Sequence, residues 1–115
     1  MNDLNIQGMT VAPNVVETIV SLAARDVEGV AELGTTASGS IRSILGGKQP
    51  VPGLEIEVDE DEKLHIVLRM VVKSGFVIPD VAAAVRQSVA DAVSMQVGVG
   101  VSAVDIFVDG IRFDS

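Results

Sequence analysis

Apolar residues recur along this chain with two distinct periods, and the switches between them mark its elements. From Val16 onward, Val16, Ile19, Val20, Ala23 and Val27 keep helical spacing. Glu17, Thr18, Ser21 and Arg25 fall largely on the other side. Pro13 suits the first helical turn, where its missing N–H is not needed. Gly29 offers a C-cap, because only glycine enters the left-handed region freely. The pattern predicts a first helix from Pro13 to about Glu28. A second starts at Pro79, carries the stripe Val81, Val85, Ser88, Val89, Ala92 and Val93, and ends at Gly98 and Gly100. Valine is a modest helix former, so both helices depend on packing.

The period shortens to two in Leu54-Glu55-Ile56-Glu57-Val58 and again through Leu64, Ile66, Leu68, Met70 and Val72. With the charged turn Asp59-Glu60-Asp61-Glu62 between them, these stretches read as a β-hairpin. Leu54, Ile56 and Val58 share one face with Leu64, Ile66 and Leu68. Glu55, Glu57, His65, Arg69 and Lys73 take the other, with Val67 and Val71 among them. That second face is more apolar than solvation alone requires. Leu4 to Val11 reads as a short strand weakened by Gly8. Ser102 to Asp109 reads as the last strand, with Val104, Ile106 and Val108 on one side and Asp105, Phe107 and Asp109 on the other.

The start of the first helix, Val11-Ala12-Pro13-Asn14-Val15, returns before the second as Val77-Ile78-Pro79-Asp80-Val81. This repeat suggests two similar halves. Helices with one apolar stripe and strands with one apolar face imply two layers. The expected fold is α+β: a two-layer sandwich in β-α-β-β-α-β order, with a mixed sheet of three to four strands and two long helices on one face. Residues 1–115 are expected to form a single domain by size. Residues 34–53 are small, polar and glycine-rich, which predicts a flexible loop with a short helix at 40–45.

Composition narrows the function. Apolar residues make up 48% of the chain, yet there are three Phe and no Trp or Tyr. Base-stacking nucleic-acid modules need aromatic platforms, which are missing. The net charge of −8 also opposes binding to phosphate backbones or anionic lipid. Cysteine is absent, so no disulfide or thiolate site is expected. The N-terminus lacks the basic-then-apolar pattern of a secretory signal. No stretch reaches the ~18 apolar residues that a membrane span requires. A cytoplasmic protein without direct membrane insertion is expected.

No catalytic constellation emerges, and no cofactor or metal site is expected. His65, the sole histidine, lies mid-strand beside Glu55 or Glu57 with no nucleophile implied, so a surface or interface role is expected. The acidic run 59–62 lacks the shaped loop that hard cations want. Gly46-Gly47-Lys48 fails the phosphate-loop pattern, because Arg42 takes the first glycine position and Gln49 the last. A Gly-x-x-Gly RNA loop fails there for the same Gln49 and for the charge. Asp105 and Asp109 flank Phe107 on the last strand. An interface rim around an apolar anchor explains them better than paired acid/base catalysis. Val67, Val71, Phe107, Asp105 and Asp109 are therefore the candidate interaction surface, and a homo-oligomer is expected.

Five segments in order complete the reading: Gly8 to Val16, Asp26 to Val30, Gly53 to Val58, Gly75 to Ala82, and Val104 to Phe113. Together they resemble the alkaline shock protein family, small cell-envelope stress proteins of Gram-positive bacteria. Ser74 stands where family members often carry Tyr. The resemblance implies a non-enzymatic, self-associating cytoplasmic protein, held at the membrane through a separate anchor protein, with no catalytic residues to transfer. The expected function is an assembly or scaffold role in envelope stress homeostasis. The alternative is a small-ligand or cation-binding regulator using hairpin 59–62 or loop 34–53.

Overall fold

The computed structural model describes residues 4–6, 8–34 and 54–113. Strands β1 (Leu4–Ile6) and β2 (Met9–Val11) come first, then helix α1 (Pro13–Arg25) and strand β3 (Val30–Leu33). Strands β4 (Leu54–Val58) and β5 (Leu64–Lys73), helix α2 (Ile78–Gln96) and strand β6 (Val101–Arg112) follow.

β5 organises the main sheet. It pairs antiparallel with β4 along Leu64–Leu68 and antiparallel with β3 along Met70–Val72. Its other edge pairs in parallel with β6 over its whole length. β3 and β4 therefore share one edge of β5 end to end, so among the described residues the four-stranded mixed sheet is at most three strands wide. The parallel β5–α2–β6 unit needs the long crossover that α2 supplies.

Strict alternation along β5 sends Leu64, Ile66, Leu68, Met70 and Val72 inward, where all five are fully buried. They meet Val16, Val20 and Ala24 of α1 and Val81, Val85, Val89 and Val93 of α2 in one core. The two-layer α+β arrangement with both helices on one face of a mixed sheet is thus as the periodicity predicts. Ser88 Oγ, within the apolar stripe of α2, donates to the Ala23 carbonyl at 3.0 Å and ties the helices together.

Five local expectations need correction. The stretch 4–11 is not one strand: Gly8, at φ 79°, turns it into the β1–β2 hairpin, a separate two-stranded sheet that buries Ile6 in the core. α1 stops at Arg25 rather than near Glu28, and the turn through Asp26 carries the chain into β3. β3 itself has no counterpart in the predicted order. β6 runs from Val101 to Arg112, past Gly110, where the ladder shifts register by one residue. The predicted loop 34–53 with its 40–45 helix lies outside the described residues, apart from Gly34.

Gly29 does not cap α1 but is indispensable to the turn after it. Its φ is +101°, and an added Cβ would lie 2.8 Å from Val81 Cγ2 and 3.0 Å from the Phe76 ring. Only glycine satisfies both the backbone angle and the close approach of α2.

Candidate functional site: the outer face of the sheet

The residues of β5 that do not enter the core form the spine of the opposite face: His65, Val67, Arg69, Val71 and Lys73. Antiparallel pairing sets Glu57 opposite His65 and Glu55 opposite Val67 from β4, and Glu32 of β3 opposite Val71. Parallel pairing sets Asp105 opposite Val67, Phe107 opposite Arg69, Gly110 opposite Val71 and Arg112 opposite Lys73. All five candidate surface residues therefore lie on β5 and β6, side by side on the helix-free side.

Three charged sets bracket the apolar side chains. His65 Nε2 donates to Asp105 Oδ2 at 2.8 Å, and its Nδ1 lies 4.0 Å from Glu57 Oε1. Arg69 Nη1 donates to Asp109 Oδ1 at 2.9 Å. Arg112 Nη2 reaches Glu32 Oε1 at 3.0 Å. The hydrogen bond to Asp105 raises the His65 pKa above its ordinary 6.5, and the negative charges of Asp105 and Glu57 add to that. Between these sets, Phe107 keeps 47% of its surface exposed while the Arg69 guanidinium sits 4.8 Å from its ring centre. That distance is a cation–π contact, which holds the ring and the charge in one place. Val67 and Val71 are half-buried beside them.

Sequence spacing located Asp105, Phe107 and Asp109 but missed their partners. His65, Arg69, Glu32 and Arg112 become partners only through the β5–β6 and β3–β5 registers. The one local signal was the alternation along β5, which already put His65 and Arg69 on this face.

The acidic hairpin is built differently. Asp59 Oδ1 accepts the backbone N–H groups of Asp61 at 2.9 Å and Lys63 at 3.0 Å. Those hydrogen bonds hold its carboxyl below its usual pKa. Asp59 thus organises the turn, with Glu62 at φ 59° completing it. Among the described residues no group of three or more His, Cys, Asp or Glu side chains converges as a cation would require. Nothing in this hairpin favours the ligand- or cation-binding alternative. Among the described residues, no helix is long and apolar enough to cross a membrane.

Comparison with known proteins supplies the context for this surface. Residues 2–113 match the model of a family described by a cell envelope-related function, that of alkaline shock protein 23. A protein of Bacillus subtilis (strain 168), the uncharacterized protein YqhY, is 30% identical over 114 residues, covering 98% of this chain and 83% of that one. No solved structure matches the chain significantly. With both matches spanning nearly every residue, the chain belongs to the alkaline shock protein family, whose function is related to the cell envelope.

Proposed function

We propose that this chain is a non-enzymatic assembly module of cell-envelope stress homeostasis, acting in the cytoplasm through self-association and through a separate membrane-anchored partner. The observation that carries this reading is the outer face of the sheet. An exposed aromatic ring, fixed by Arg69 and flanked by Val67 and Val71, is bordered by ion pairs already formed within the chain. Apolar anchors inside a polar rim are the anatomy of protein interfaces. Charges that already have partners need less rearrangement when a second surface arrives.

Membership of an envelope-related family supports the location of the role. The net charge of −8 favours a partner of basic character over a bare lipid surface. Light scattering behind size-exclusion chromatography tests the reading. The expected result is an assembly larger than one chain that Phe107→Asp or Val71→Asp reduces to monomers with an unchanged circular dichroism spectrum. A wild-type chain that stays monomeric at high concentration contradicts it.

A further inference from the structure

The longest strand of the sheet is also one whose far edge meets no other strand among the described residues. β6 spans 12 residues and pairs only with β5 there. Gly34 N–H donates to the Arg69 carbonyl and Lys73 N–H to the Gly29 carbonyl. The odd-numbered residues of β5 therefore turn their backbone toward β3 and β4, and the even-numbered ones toward β6. Leu64 N–H donating to the Gly100 carbonyl agrees. In a parallel pair, the β6 residues that bond β5 are those opposite its odd positions: Ala103, Asp105, Phe107, Gly110 and Arg112. Ser74 N–H indeed donates to the Arg112 carbonyl. Val104, Ile106, Val108 and Ile111 thus direct their backbone groups out of the sheet. At Val104, Arg86 Nε reaches the outward carbonyl at 3.4 Å.

We propose that a second copy of this chain pairs with this edge, its β6 antiparallel to β6 about a two-fold axis, with Asp105 facing Arg112 of the other copy. The proposal rests on the self-association reading above and adds to the outer face a strand edge that copies share. The bulge limits the register, and packing and charge choose within it. β5 pairs Met70 with Val108 and Val71 with Gly110, so one extra residue sits at Asp109. Outward positions are even-numbered before the bulge and odd-numbered after it. An antiparallel match that uses both segments must set an even residue against an odd one, and Ile106 against Ile111 does so. Val104 then meets Phe113, Asp105 meets Arg112, and Phe107 meets Gly110.

Four pairs flank the axis and each is complementary; at the axis Val108 meets Asp109 of the other copy, whose charge Arg69 of its own chain already holds. Ile111 and Phe113 are 44% and 81% exposed, and this register sets them against apolar neighbours. Phe107 lies across from a glycine, where its ring has room. Asp105 and Arg112 are opposite charges, and their contact joins the Glu57–His65–Asp105 set of one copy to the Arg112–Glu32 pair of the other. The competing register centred on Phe107 opposes Asp105 to Asp109, and facing like charges destabilise a strand pair.

The chain has no cysteine, so introduced thiols report without background. In Asp105→Cys/Arg112→Cys the two thiols lie roughly 23 Å apart on one extended strand, out of reach of each other. Across the proposed pair they occupy a non-hydrogen-bonded site with Cα atoms about 4.5 Å apart, within disulfide range. Mild oxidation is expected to give a covalent dimer. Ile111→Lys in the same background removes it by charging the edge, whereas Leu22→Lys, on the exposed side of α1, leaves it. If Val67→Cys cross-links to itself while the 105/112 pair does not, copies stack through their outer faces. The edge proposal then fails while self-association stands. A monomer in sedimentation with no cross-link at either position overturns both.

Discussion

The two faces of β5 are built from the same ten residues and obey different physics. On the helix side every second side chain is sealed, and the ordering force is removal of aliphatic surface from water. On the outer side the alternate positions hold His65, Val67, Arg69, Val71 and Lys73, and order comes from ion pairs and one cation–π contact that remain partly solvated. The inner face explains why the chain folds. The outer face is organised beyond what folding alone demands, since half-exposed ion pairs contribute little to stability. Order without a stability return points to a surface shaped for contact.

The largest effect that separates the faces is expected at Leu68, fully buried in the core. Leu68→Ala should cost about 2–5 kcal/mol, the usual range for a deleted core leucine. Urea unfolding monitored by circular dichroism checks this. Next is Gly29→Ala, which asks alanine to adopt φ +101° and to push Val81 away from 2.8 Å. Strained backbone of this kind costs about 1–3 kcal/mol, so the melting temperature should fall clearly. Crossing to the outer face, Arg69→Ala removes a pair whose arginine side chain is 49% exposed, and should cost at most about 1 kcal/mol. A loss as large as that of Leu68→Ala would erase the distinction between the faces.

The smallest effect is the pH dependence of His65. Asp105 raises its folded pKa, so the folded state binds the proton more tightly than the unfolded chain does. The resulting stability is fully present below the unfolded value of 6.5 and is lost as pH rises through the raised one. His65→Gln should flatten this part of the stability profile, and chemical denaturation at pH 6 and pH 8 measures it. An unchanged profile would show that the His65–Asp105 bond carries no proton linkage.

What the chain made legible follows the same division. β4, β5 and both helices declare themselves because burial on one side imposes an uninterrupted period. β3 does not: Val30-Ala31-Glu32-Leu33 is four residues long, and its ladder slips between Val30 and Glu32, which breaks the alternation. Gly110 reads as a strand breaker, yet the bulge beside it absorbs the irregularity and lets β6 run on to Arg112. The outer-face partners depend on strands distant in sequence. His65 and Asp105 are 40 positions apart, and no local period encodes which β6 residue a one-residue bulge brings opposite. Charge and exposure at Asp105, Phe107 and Asp109 mark a surface, but only register assembles it.

The central claim is that the outer side of the sheet and its β6 edge exist to bring copies of this chain together. Sedimentation equilibrium of the wild-type chain beside Phe107→Asp tests it most directly. The account predicts a concentration-dependent assembly for the wild type and a folded monomer for the variant. A wild type that remains monomeric, or a variant that associates as well as the wild type, would contradict it.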